Sequence, residues 1–313
     1  MASFDSINYS LRPNKHIERS VVFENISRLT LCLGLKRQVY IGFGSVWFTD
    51  FQIAHRTLAI EDMRSMEKDP IGYARATFNV PFKTVKVLDK KSSDALPILR
   101  SDTAINARPW LIWLDYDAAL SEDIIADIDY VIEHCPTNTM FLITFSANEK
   151  AYGKPRHRAK RLEALLGDVV PEDLADEDVN AQLAETLAQC VGDYMVAKAE
   201  TIARPGGFLS AFNMVYTDTA TMITVGGVLP AVGARSTARE MISSADWGGK
   251  VNGRIEAPHL TLREASMLQS QLPHPKALTR ASIKKLGFDL RDEQIASFQK
   301  YYKYYPSFAQ ITV

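Results

Sequence analysis

Three short stretches of this 313-residue chain carry residue types that could do chemistry at one site. Val39-Tyr40-Ile41, an apolar run suited to a buried strand, leads into Gly42-Phe43-Gly44-Ser45 and then into a helical pattern from about Trp47 to Leu58. A Gly-x-Gly corner between strand and helix lets a ligand approach main chain where a side chain would block it. The helix beyond offers unpaired N–H groups and its positive dipole end. Met63-Arg64-Ser65-Met66 reads as a second strand closed by Glu67, 23 positions after Gly44. An acid at that offset can accept hydrogen bonds from both hydroxyls of a ribose. Val46 and Trp47 stand where a pyrophosphate-binding loop carries its third glycine, so the pattern favours a nucleotide-like ligand over a dinucleotide. Asp115 and Asp117 end a fourth strand, Trp110 to Leu114. Two carboxylates two apart on an extended chain point the same way. They could share a divalent cation, orient an acceptor's proton, or cap the helix that follows. Asn148, past the fifth strand, is a further oxygen donor there, but reads as a turn residue.

The elements that must position these groups form a regular rhythm. After an extended arm at 8–15, apolar residues recur helically from Ile17 to Leu29 and stop at Gly34, a C-terminal cap. Arg12, Lys15, Glu18 and Arg19 read first as a solvated helix end, and alternatively as an electropositive edge to a site. Strands at 39–41, 63–67, 84–88, 110–114 and 140–145 alternate with helical stretches, one of them capped by Ser121. Near-continuous apolar strands of this kind belong to a parallel sheet covered on both faces. A charged insertion and a long helix, Val179 to Ala203, follow, and then a hairpin at 208–225. The fold class is therefore α/β: a doubly wound, mostly parallel sheet with a closing antiparallel hairpin, plus a small C-terminal helical subdomain. The expected organisation is an arm and helix over 1–37, a ligand-binding domain over 38–231 with its insertion near 154–204, and a basic, Tyr-rich helical subdomain over 254–313.

Composition narrows the function. With 46% apolar residues and a formal net charge of −1, the chain can bury a core and is not a nucleic-acid sponge as a whole. Cys32, Cys135 and Cys190 form no Cys-x-x-Cys, and no uninterrupted apolar run could span a bilayer, so a cytoplasmic protein without membrane attachment is expected. The six histidines never fall at metal-ligand spacing, and no Walker loop or Gly-x-Ser-x-Gly elbow occurs. Past residue 254, nine basic residues face five acidic ones. Arg280, Lys284 and Lys285 with Tyr301, Tyr302 and Tyr305 could contact nucleic acid, although a packed aromatic helix accounts for the same pattern.

The run Val39 to Ser45, then Glu67, then Leu114-Asp115-Tyr116-Asp117, resembles class I S-adenosylmethionine-dependent methyltransferases. It is most similar to bacterial O-methyltransferases of uncharacterised type, some of which sit among mobile or antiviral defence genes. The likeness extends over about residues 8–230 and implies a Rossmann-like sheet with S-adenosylmethionine as cofactor. Gly42, Phe43 and Gly44, with Ser45 beside them, would then cradle the methionine part, and Glu67 would hold the ribose. Asp94 matches the polar group set against the adenine amine, though it equally suits the N-cap of a helix from Ala95. Asn79 could contact the ligand or cap a turn. Asp115 and Asp117 would be the catalytic pair, Asp115 also touching cofactor. A divalent metal is compatible with this family but no metal site is expected here. The absence of an Asn/Asp-Pro-Pro-Tyr/Phe motif favours O-methylation over adenine or cytosine amino methylation. The alternative is a catalytically silent nucleotide-binding sensor, or a subunit of a larger protein complex.

Overall fold

The computed structural model describes residues 12–306, apart from the side chain of Asn252. The arm expected over 8–11 lies outside the described residues. The first half of the chain alternates α1 (Pro13–Cys32), β1 (Val39–Gly42), α2 (Thr49–Leu58), β2 (Asp62–Met66), α3 (Pro70–Phe78), β3 (Val85–Leu88), α4 (Ser92–Ser101), β4 (Trp110–Ala119), α5 (Glu122–His134) and β5 (Thr139–Ser146). Then come α6 (Arg158–Leu166), α7 (Asp176–Ala181), α8 (Leu183–Thr201), the hairpin β6 (Leu209–Thr217) and β7 (Thr221–Leu229), α9 (Arg235–Ile242) and β8 (Lys250–Ile255). The described chain closes with α10 (Leu262–Gln269), α11 (Arg280–Lys285) and α12 (Asp292–Tyr301).

One eight-stranded sheet results, in the order β3-β2-β1-β4-β5-β7-β6-β8. The first five strands are parallel, and β7 runs antiparallel to both β5 and β6. Its strands alternate between two buried layers, as a doubly wound sheet requires. Trp110, Ile112 and Leu114 face α4, α5 and α8, whereas Leu111 and Trp113 face α1 and α2. The order reverses between β1 and β4, the switch point where open α/β sheets receive ligands beyond their carboxyl ends.

Several expectations are corrected here. Pro13 opens α1 at its first position, with Arg12 extended before it, so 13–15 are helical rather than part of the arm. β4 continues to Ala119, carrying Asp115 and Asp117 inside the strand. The cap of α5 is Ser121, whose Oγ accepts the Ile124 N–H at 3.4 Å, so neither carboxylate caps that helix. The long helix after the insertion is two helices parted at Gln182, where φ is −139°. The sheet also continues past residue 231, because β8 pairs in parallel with β6. No helix of the described residues is long and apolar enough to cross a membrane.

Candidate functional site

The carboxyl ends of β1 to β4 share one edge, and most of the singled-out residues meet there. At the end of β1 the chain turns through Gly42–Ser45. A Cβ on Gly42 would lie 2.7 Å from the Trp113 carbonyl oxygen of β4, and one on Gly44 would lie 2.8 Å from Ser65 Oγ and within the Phe48 ring. The Gly44 N–H donates to Ser65 Oγ at 3.0 Å. Glycine at 44 is thus required by the chain's own packing, because buried Phe48 fills the α1 side of the corner. Phe48 holds a left-handed backbone (φ 49°), an unfavourable conformation for a bulky residue that the packing of its ring maintains. Phe43 turns to the opposite face, its ring edge-on to Tyr116 at 5.2 Å between centroids, and Trp47 is 43% exposed.

Glu67 lies one residue past β2, its N–H donating to the Leu88 carbonyl at 3.0 Å. Its Oε1 accepts the Asp69 N–H at 2.8 Å, and its carboxyl rests on Gly72, where a Cβ would come within 2.9 Å. Burial raises its pKa above the usual glutamate value, against the Asp69 N–H bond, which favours the ionised form. Asp94 is exposed in the first turn of α4. The N-cap there is Lys91 and the helix begins at Ser92, so the capping role expected for Asp94 is corrected. Ser92 and Tyr116 both donate to Asp127 Oδ2, Tyr116 at 2.6 Å, fixing the start of α4 against β4 and α5. Asn79 is not brought to this edge. α3 crosses back to the amino edge of the sheet, where Asn79 closes it and its Nδ2 donates to the Arg75 carbonyl at 2.8 Å.

Asp115 is the centre of a buried charge cluster formed with Lys15, Glu18 and Arg19, residues whose sequence pattern suggested a solvated helix end first and an electropositive edge to a site second. Lys15 Nζ lies 3.0 Å from each of its oxygens, Arg19 Nη2 is 3.7 Å away, and Lys15 also lies 3.4 Å from Glu18 Oε2. Arg19 Nε donates to Asp50 of α2 at 2.5 Å. The ammonium stands over the rings of Trp113 and Tyr216, 5.0 and 5.3 Å from their centroids. Sheet register completes the cluster: Asp115, Thr144 and Thr224 are paired neighbours across β4, β5 and β7. Trp113 Nε1 donates to Thr144 Oγ1 (3.0 Å), the two threonine hydroxyls are 2.7 Å apart, and Thr224 donates to Glu18 Oε1 at 2.6 Å.

Lys15, Glu18 and Arg19 are 2%, 0% and 5% exposed, so the solvated helix end expected for them is corrected. Asp115 is the outward member, its side chain 21% exposed. Burial works against the Lys15 charge, but Asp115 and Glu18 outweigh it and hold the ammonium protonated. One ammonium cannot compensate two carboxylates equally, and burial pushes Glu18 up to about 7. The signal was present in the sequence: Lys15, Glu18, Arg19, Val22 and Ile26 occupy one helical stripe, which places the charges on the buried face of α1.

The remaining candidates fall elsewhere. Asn148 caps a short 3-10 turn, its Oδ1 accepting the Lys150 N–H. Tyr301 and Tyr305 are 4% and 5% exposed, Arg280 grips Asp289 through two 2.8 Å contacts, and Lys284 lies 3.7 Å from the same acid. Tyr301 and Tyr305 therefore pack in the core rather than standing free to stack on bases. Among the described residues no group of three His, Cys, Asp or Glu could hold a metal ion. Two cavities of about 340 and 360 Å³ adjoin at the amino edge, between α8, α9 and the start of β6, remote from this site.

A family model described as "Putative O-methyltransferase" matches residues 7–313. No curated protein matches the sequence. Among solved structures the chain is similar to Trm1 from Pyrococcus horikoshii in complex with S-adenosyl-L-methionine (12% identity, TM-score 0.49), over 77% of this chain and 61% of that one. It is also similar to an rRNA methylase from Streptococcus thermophilus (8% identity, TM-score 0.35, 66% and 94% covered). The chain thus spans about three-fifths of the Trm1 chain.

Proposed function

Because the chain belongs to the O-methyltransferase family whose model spans residues 7–313, we propose that it transfers a methyl group from S-adenosylmethionine to an oxygen acceptor. One observation carries this reading beyond the family: four parallel strands bring the Gly42–Ser45 turn, Glu67, the first turn of α4 with Asp94, and Asp115 to one edge across the switch point. The residues present suit such a cofactor. A desolvated Glu67 carboxyl gains by accepting hydroxyl hydrogen bonds.

When bound, S-adenosylmethionine supplies a methyl group on a sulfonium, whose leaving group is already good. The protein's work is then mainly alignment and proton handling. Glu67 would hold the ribose of such a cofactor and Asp94 would meet its adenine amine. Asp115, through its exposed side, accepts the acceptor's hydroxyl hydrogen, with Asp117 next on the same strand face. Lys15 fixes the Asp115 rotamer through 3.0 Å contacts to both of its oxygens.

Isothermal titration of S-adenosylmethionine against wild type and Glu67→Ala tests this reading. Wild type binds, and the substitution weakens binding by about 1–3 kcal/mol through lost charge-assisted hydrogen bonds. Equal affinities would remove Glu67 from the site, and no binding to wild type would end the proposal.

A further inference from the structure

The buried cluster on α1 is more than a scaffold for Asp115. With every group ionised, Lys15, Arg19, Glu18, Asp50 and Asp115 sum to one negative charge, enclosed almost entirely out of water. A buried net charge is expensive unless a counter-charge or a proton removes it. Resting on the proposed methyl transfer, the geometry points to Glu18 as the group that exchanges this proton: ionised while the site holds a sulfonium, protonated once the charge has gone.

Three features carry the inference. Glu18 Oε2 is buried without a hydrogen-bond partner among the described residues, while Oε1 is held by Thr224, so a proton can arrive at Oε2 without breaking the threonine chain. Lys15 Nζ bridges Oε2 (3.4 Å) and Asp115 (3.0 Å), which connects Glu18 to the one partly exposed carboxylate. The other titratable groups facing Glu18 are Arg19 on α1, Tyr40 on β1 and Tyr216 on β6. Both phenols are pushed well above their ordinary values by burial and so remain neutral. Asp50 is held by Arg19, and His16 adjoins Arg19 with its pKa lowered by burial.

The balance closes. The S–CH3 bond breaks with its pair left on sulfur, the acceptor oxygen forms O–CH3, and its O–H proton passes to Asp115. Lys15 then gives a proton to Glu18 Oε2 and takes up the one on Asp115. The site loses one positive charge with the sulfonium and regains neutrality through the proton on Glu18. Burial, set partly against the Lys15 ammonium, holds the Glu18 pKa at about 7, where that exchange costs little.

The test uses two probes that share adenosine and differ in charge: S-adenosylmethionine and neutral S-adenosylhomocysteine, titrated calorimetrically in buffers of different ionisation enthalpy. At a pH below the Glu18 value, the cationic probe expels a proton that the neutral one does not. Its affinity therefore climbs by up to about tenfold per pH unit toward that value, relative to the neutral probe. Glu18→Gln abolishes the difference, and Thr224→Val, which removes a bond to the ionised carboxyl, moves it to higher pH. Equal proton release for both probes overturns the inference while leaving cofactor binding intact, as does a difference that persists in Glu18→Gln or does not move in Thr224→Val. Failure of wild type to bind either probe overturns the methyltransferase reading itself.

Discussion

At the scale of single residues, function and packing place competing demands on the same positions. Gly44 is the clearest case, since a methyl group there would enter the Phe48 ring and crowd Ser65 Oγ. Gly44→Ala is expected to lower stability by about 1–3 kcal/mol in denaturant titration, as overpacked sites do. An unchanged midpoint would mean that Phe48 can swing away at little cost. The glycine, Glu67 and Asp115 were legible because strand-turn-helix and strand-acid patterns are local. The stripe of Lys15, Glu18 and Arg19 was legible in spacing but misread, because charged residues are seldom fully buried and their partners stand 31 to 206 positions away. Ser65 and Thr224 gave no signal at all: a hydroxyl within a strand announces neither the backbone N–H nor the carboxylate it will meet.

At the scale of elements, the direction of each crossover decides which residues can act together. The crossover helices α2, α3, α4 and α5 begin at the site edge and end at the far one, so their first turns face the proposed cofactor site and their last turns do not. Asn79, at the end of α3, is the instructive case, being close to Glu67 in sequence but at the far end of the crossover helix. Asn79→Ala should leave S-adenosylmethionine affinity unchanged in the same calorimeter; a loss of about tenfold would return it to the site. The alternation of five strands with helices was readable because the central strands β1, β4 and β5 are apolar on both faces. β8 was not, since Lys-Val-Asn-Gly-Arg-Ile has little apolar character and lies at the sheet's edge. It is secured by Arg254, which grips Glu185 of α8 through contacts of 2.7 and 3.1 Å.

At the scale of the whole molecule, the C-terminal helices are not an appendage. Ile283, Ile295, Phe298, Tyr301 and Tyr305 share a buried layer with α1, Tyr305 donates to the Pro258 carbonyl at 2.6 Å, and Tyr304 donates to Glu24 of α1. Tyr305→Phe should therefore cost about 1 kcal/mol while unfolding stays a single transition, seen alike by calorimetry and far-ultraviolet dichroism. An early separate transition would show that 254–306 folds independently. The helical tail itself was legible from its caps, but its docking was not, because composition does not say which surface an apolar face will meet. The first helix of the described chain also hydrogen-bonds to Thr217 and Asp218, about two hundred positions later. During synthesis, Lys15, Glu18 and Arg19 must stay hydrated until the hairpin has left the ribosome. The nascent chain can thus complete its early strands long before this cluster closes, and a product truncated ahead of the hairpin would carry the Gly42–Ser45 turn and every charge of the cluster without Tyr216, Asp218 and Thr224, which enclose and hold them.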